Sequence, residues 1–311
     1  MPFAIEVEDL VKRYRHAEVN AVDGVSMSVP PGSFFALLGP NGAGKTTTIA
    51  ILTTTLTPTS GTVRVAGFDV VTDSADVRRN VGIIFQNPSL DLNLTAEENV
   101  RLHAVLYGLY PFRPSWRLMP VAYRRRVGEL AEVLGIQHDL FRPLRTYSGG
   151  MRRKLEIVRS LIHQPQVLFL DEPTSGLDPA SRRDLWEYLR QMRLDEGTTV
   201  FLSTHYLDEA EGADAVTIIN HGRVAASGTP ADVKTALTDA HLEVDADDRA
   251  ALRAELAALG LVAVEGPPFC LPVTPAEAHS VLRRIQTPLT LVRTHDPSLE
   301  DAYLMLVGAD T

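Results

Sequence analysis

The sequence predicts an α/β protein: a mostly parallel sheet flanked by helices, a helical insertion between its halves, and a small α+β domain at the end. Three observations predict it. Apolar strand-like runs alternate with helical patterns over residues 1–237. One such run, Ser33 to Leu38, ends in Gly39-Pro40-Asn41-Gly42, so a strand delivers the chain into a glycine-rich loop ahead of a helix. After about Thr238 the texture changes to short strands and alanine-rich helices in βαββαβα order. The expected domains are 1–237, with the helical insertion at 95–163, and 238–311.

Each element follows from local pattern. Ala4 to Val11 and Ala21 to Val29 alternate as strands around the polar stretch Lys12 to Asn20. Thr46 to Leu56 has helical character, closed by Pro58 and Gly61, and Thr62 to Ala66 returns as a strand. Thr95, with Glu98 three residues on, forms a capping box that opens the insertion. Three prolines between Tyr110 and Pro120 demand a loop, and Arg124 to Leu134 resumes a helix. Val167 to Leu170 and Thr198 to Ser203 are apolar strands, and Ala215 to Asn220 with Arg223 to Ala226 form a hairpin around His221-Gly222. Thr229-Pro230 opens a short helix. In the tail, His241 to Val244, Leu261 to Val264, Phe269 to Val273 and Leu289 to Arg293 are expected strands. Asp247 to Leu259 and the stretches opening at Thr274-Pro275 and Asp296-Pro297 are expected helices.

Composition narrows the function classes. Apolar residues make up 45% and charged residues 22%, enough for a sizeable core. The net charge of −9 disfavours a phosphate-backbone binder, so no nucleic-acid partner is expected. The single cysteine, Cys270, permits no internal disulfide and is expected as a small apolar core residue. No apolar run approaches the ~18–20 residues of a membrane span, and Met1 to Leu10 lacks the pattern of a signal peptide. The chain is expected in the cytoplasm, with any membrane attachment supplied by a partner.

Three motifs carry chemistry. Gly39-Pro40-Asn41-Gly42-Ala43-Gly44-Lys45-Thr46 matches G-x-x-x-x-G-K-[ST] and stands between a strand and a helix. Its glycines turn backbone N–H groups inward on nucleotide phosphates, Lys45 reaches the β- and γ-phosphates, and Thr46 meets Mg²⁺. Val167 to Glu172 is an apolar strand ending in two carboxylates. Asp171 is placed to hold Mg²⁺ and Glu172 to act as general base on water. Ser148-Gly149-Gly150, after Tyr147 and before Met151, opens a helix with Met151, Leu155, Val158 and Ile162 on one face and Arg152, Arg153 and Lys154 on the other. Read alone it is a loop and cap. Beside the first motif it is a second anion site, and one nucleotide does not need two in one chain.

In order and separation these motifs resemble the ATP-binding-cassette family over nearly the whole chain. The resemblance implies a P-loop nucleoside-triphosphatase fold with an antiparallel β subdomain, and makes the three motifs the Walker A loop, Walker B strand and signature. It makes Tyr14 the aromatic residue on adenine, extends the nucleotide site to Thr47, and makes Gln86 the loop glutamine that senses Mg²⁺ and the attacking water. Ser175 to Asp178 becomes the loop linking two subunits, and His205 the switch histidine at the γ-phosphate. Tyr147 and Met151 replace the usual leucine and glutamine. With Thr204 to Ala210 and Pro297 to Tyr303, they are similar to the daunorubicin/doxorubicin-resistance exporter branch, from which Tyr110 to Val121 departs. The implied cofactors are ATP and Mg²⁺. The implied partners are a second copy of the chain and a separate membrane permease, holding the ATPase at the inner face of the membrane. Alternatives are a soluble cassette ATPase acting on nucleic acid or ribosomes, an importer ATPase, and a non-hydrolysing nucleotide sensor.

Overall fold

A computed structural model describes residues 3–84, 90–174, 177–237, 240–264, 266–273, 275–295 and 298–308. The chain divides into two units, at Thr229/Pro230 and not at the expected 237/238. The helix expected to close the first domain instead belongs with the second, where it packs on the final helix.

In the first unit, β1 (Ile5–Lys12) and β2 (Val22–Val29) pair antiparallel, as their alternation requires. After β3 (Phe34–Leu38) comes α1 (Lys45–Leu52), which ends four residues earlier than expected. Thr53 turns its hydroxyl back on the Ile49 carbonyl at 2.7 Å and Thr54 takes φ 60°, so the run of threonines ends the helix. Next come β4 (Ser60–Val65), β5 (Phe68–Asp69), α2 (Ser74–Asn80) and β6 (Val81–Ile84). The insertion holds α3 (Ala96–Leu106), α4 (Val121–Val133) and α5 (Gly149–Leu161). The capping box at Thr95 is present, and the proline-rich loop carries only a single 3₁₀ turn at Trp116–Leu118. Then follow β7 (Val167–Asp171), α6 (Pro179–Glu196), β8 (Thr199–Thr204), α7 (Leu207–Ala210), β9 (Ala215–Asn220) and β10 (Arg223–Gly228).

Two sheets result. One is antiparallel, in the order β2-β1-β4-β5, and is the expected antiparallel β subdomain. The other runs β10-β9-β3-β8-β7-β6, parallel throughout except for edge strand β10. β7 and β8 are buried at every residue, which explains the continuous apolar runs Val167 to Leu170 and Val200 to Leu202 within them. A shared core of Ile5, Leu10, Val29, Ile49, Phe169 and Phe201 ties the two sheets together.

The second unit contains α8 (Pro230–Leu237), β11 (His241–Asp245), α9 (Arg249–Ala258), β12 (Phe269–Leu271), α10 (Pro275–Leu282), β13 (Leu291–His295) and α11 (Leu299–Gly308). Its sheet is antiparallel in the order β12-β11-β13. The expected strand at Leu261 to Val264 shrinks to one bridge, Val264↔Cys270. Leu242, Val244, Phe269 and Leu271 face a core with Leu252 and Leu256 of α9. Cys270 is not in that core; pleating turns it to the opposite, half-buried face. Asp296 and Pro297 lie outside the described residues. The last helix is capped by Ser298 and Asp301, each side chain accepting the other's backbone N–H.

Candidate functional site

The parallel register brings the motifs together. Leu38 pairs with Thr204, and Asp171 with Ser203, so β3, β7 and β8 all end at one edge of the sheet. Chain leaving the carboxyl ends of parallel strands is where α/β sheets bind ligands.

The loop 39–44 is a cradle built from backbone. Gly44 caps α1 at φ 106°, and a Cβ there would lie 2.4 Å from the Ala21 carbonyl oxygen. A Cβ on Gly39 would lie 2.3 Å from that of Ile219. The loop leans on the β9–β10 hairpin, where Gly222 N–H donates to the Ala43 carbonyl at 3.0 Å. Pro40 is half-buried and Asn41 and Gly42 are exposed, so the rim of the cradle is open. Lys45 opens the helix and is buried, its ammonium donating to the Gly39 and Pro40 carbonyls at 2.6 and 3.1 Å. Burial pulls its pKa below the ordinary lysine value, against the opposing charges of Glu172 and Asp171. A buried cation resting on its own loop's carbonyls fits a phosphate. Thr46 is exposed beside it, and Tyr14, also exposed, touches Thr47 Oγ1 with its hydroxyl at 3.2 Å.

Asp171 is buried at the end of β7, and burial raises its carboxyl above the ordinary range. A carboxylate desolvated this way, within electrostatic reach of Lys45, suits a hard cation. Glu172 turns sharply out of the strand at φ 48°, its N–H held by the Ser203 carbonyl at 2.9 Å. Positive φ in glutamate costs about 1–3 kcal/mol and persists only where neighbours impose it. Its Oε1 lies 2.9 Å from Nδ1 of the half-exposed His205. The structure thus brings Lys45, Asp171, Glu172 and His205 to one place. Gln86, Ser175 and Gly176 lie outside the described residues. Asp178 caps α6, accepting from Ser181 N–H at 3.0 Å.

Ser148, Gly149 and Gly150 form an open helix N-terminus. Ser148 Oγ accepts the Met151 N–H at 3.2 Å, and Ser148 and Gly149 are exposed. A Cβ on Gly149 would meet nothing within 4 Å, and on Gly150 only Leu177 at 3.8 Å. Nothing inside the described chain therefore requires glycine at either position. Tyr147 is buried and donates to the Asp139 carbonyl at 2.6 Å; burial pushes its phenol up to about 12.

Two supporting groups escaped the sequence. Arg153, expected on the polar face of α5, is buried at 4% exposure. Its Nε donates to the Pro173 carbonyl at 2.8 Å, and its Nη2 to those of Asp171 and Glu172 at 3.2 and 3.0 Å. Buried Glu156 neutralises it at 3.2 Å. This arginine fixes the strained backbone at Glu172 from the helix that carries Ser148. Glu209, buried, accepts from the hydroxyls of Thr174 and Thr204, joining the ends of β7 and β8.

Strand, glycine cradle, buried lysine and paired carboxylates define a P-loop nucleoside-triphosphatase. Comparison with known proteins narrows the class. Residues 22–175 match the family described as ABC transporter. The chain is 40% identical to a daunorubicin/doxorubicin resistance ATP-binding protein of Streptomyces peucetius over 98% of its own length and 92% of that protein's. It is 39% identical to a Nod factor export ATP-binding protein of Ralstonia nicotianae, over 98% and 94%. A solved ATP-binding subunit of an ABC transporter superposes with TM-score 0.67 at 33% identity, over 75% of this chain and 92% of that one. A dimeric cassette bound to ADP and Pi gives TM-score 0.65 at 25% identity, over 72% and 98%. The chain belongs to the ATP-binding-cassette transporter family and is one of its ATPases.

Proposed function

We propose that two copies of this chain close head to tail around two ATP molecules and so drive export through a separate membrane permease. The carrying observation is the steric freedom around Gly149 and Gly150. Glycines that the chain itself does not require, at an exposed helix N-terminus, suit close approach by a phosphate from outside. In this arrangement each triphosphate lies between the loop 39–44 of one copy, with Lys45, and Ser148 to Gly150 of the other. Tyr14 stacks on the base, and Thr47 completes the nucleotide pocket. Mg²⁺, held by Thr46, Gln86 and Asp171, supplies charge neutralisation at the phosphate oxygens when bound. Glu172, oriented by His205, takes the proton of the attacking water.

Among the described residues no helix is long and apolar enough to cross a membrane, and in this reading the transported molecule passes through the permease chain. The insertion offers a surface for it. Leu106, Phe112, Leu118, Val121 and Phe141 are exposed there, beside a cleft of ≈ 620 Å³ lined by Glu97, Arg101 and Trp116. Resemblance to drug-resistance and Nod-factor ATP-binding proteins supports the reading of export over import, with the ATPase at the inner face of the membrane.

The test is paired. Glu172→Gln retains ATP binding, loses turnover by about 10²-fold or more, and accumulates as an ATP-bound dimer on size exclusion. Adding Ser148→Arg leaves ATP bound and returns the protein to monomer. A dimer that survives Ser148→Arg overturns the sandwich, and near-normal phosphate release by Glu172→Gln overturns the assignment of the base.

A further inference from the structure

The outer face of the small C-terminal sheet carries a set of side chains that nucleotide chemistry does not use. On β11, His241 and Glu243 alternate with the core residues Leu242 and Val244. On β12, Cys270 sits directly across from Glu243. Ligand atoms of His241, Glu243 and Cys270 all lie within 4.8 Å of one another, and each residue is half-buried. His241 Nε2 is already 3.8 Å from Glu243 Oε1. Two ligands at about 2.0–2.1 Å from a tetrahedral zinc stand roughly 3.3 Å apart, so small side-chain rotations close the set.

From this geometry we propose that His241, Glu243 and Cys270 bind one divalent ion of the zinc class, with a fourth position left to water. The environment supports a cation. Among the described residues, Glu243 Oε2 is buried without a hydrogen-bond partner, although the carboxylate is only 16% exposed. Arg293 Nε approaches it at 3.4 Å from a side chain that is 65% exposed and free to swing into solvent. A buried carboxylate with so loose a counter-charge is poorly compensated, and a coordinated ion supplies what is missing. Thiolate, imidazole and carboxylate together select a borderline-soft metal over Mg²⁺ or Ca²⁺. The ring of His295 stacks on His241 at a centroid distance of 4.5 Å, and its own Nε2 is tied to Asp301 Oδ2 at 2.9 Å. That pairing restrains the His241 ring and joins the cluster to α11.

Co²⁺ provides the test, because the chain has one cysteine and a sulfur-to-cobalt charge-transfer band reports on this position alone. Untagged, nucleotide-free full-length protein, kept reduced with a phosphine, is titrated with Co²⁺. The expected result is a near-ultraviolet band saturating at one equivalent and displaced by Zn²⁺. Cys270→Ser abolishes the band. His241→Ala and Glu243→Gln each weaken Co²⁺ affinity by about tenfold or more. Zn²⁺ raises the thermal midpoint of the wild-type protein and not that of Cys270→Ser. Absence of the band, or a band indifferent to both His241→Ala and Glu243→Gln, overturns the site.

Discussion

The two helix N-termini at 44–47 and 148–151 offer an anion the same kind of ligand, yet they are built on opposite terms. At the first, glycine is forced from within: Gly44 and Gly39 have backbone oxygens pressed against the space a Cβ would take, and Lys45 is sealed beneath them. At the second, nothing in the described chain excludes a methyl group at Gly149. One site is closed in by its own polypeptide; the other is left sterically open by the described chain. Identical residue types thus carry different information, and only the steric surroundings tell them apart.

That contrast can be broken most directly at the glycines. Gly44→Ala, at φ 106° and against Ala21, is expected to cost about 2–4 kcal/mol in denaturant unfolding. Gly149→Ala is expected to stay within about 0.5 kcal/mol of wild type while ATP-dependent dimer formation falls. Equal destabilisation by both substitutions would erase the distinction. Next in size, Lys45→Met removes a desolvated cation. Nucleotide affinity of the monomer, read by fluorescence titration, is expected to drop about 10–100-fold without loss of thermal stability, since the charge-assisted contact is worth about 1.5–3 kcal/mol. The smallest effect on nucleotide binding belongs to a third helix start. Thr95 and Glu98 satisfy each other's backbone N–H groups, and the Glu97 N–H donates to the Leu140 carbonyl at 2.8 Å, so these donors are taken within the chain. Thr95→Ala is therefore expected to cost about 1 kcal/mol of stability and to leave nucleotide affinity untouched.

Sequence made the parallel strands visible because burial on both faces leaves them uniformly apolar, as in Val167 to Leu170. It concealed β6, whose four residues are too few to show a period, and α6, whose eighteen residues have only four that are fully buried. It located Lys45, Asp171 and Glu172 through motif spacing and His205 through the family resemblance, and the sheet register then brought them together. Arg153 was hidden for a different reason. An arginine on a helix is ordinarily read as solvent-facing, and its burial follows from donation to the backbone carbonyls of Asp171, Glu172 and Pro173, to which no side-chain pattern points. The outer face of the tail sheet was likewise invisible, since His241 and Cys270 are 29 positions apart and become neighbours only through strand pairing.

The splice made by Arg153 has a mechanical corollary. One end of α5 is offered outward at Ser148, while its next turn clamps the kinked peptide that aims Glu172. In a closed pair, a tug on that helix by the neighbour's triphosphate would be transmitted as torque to the home carboxylate. The two hydrolysis events would then not be independent, and the loss of one occupant should be felt as misfiring at the other.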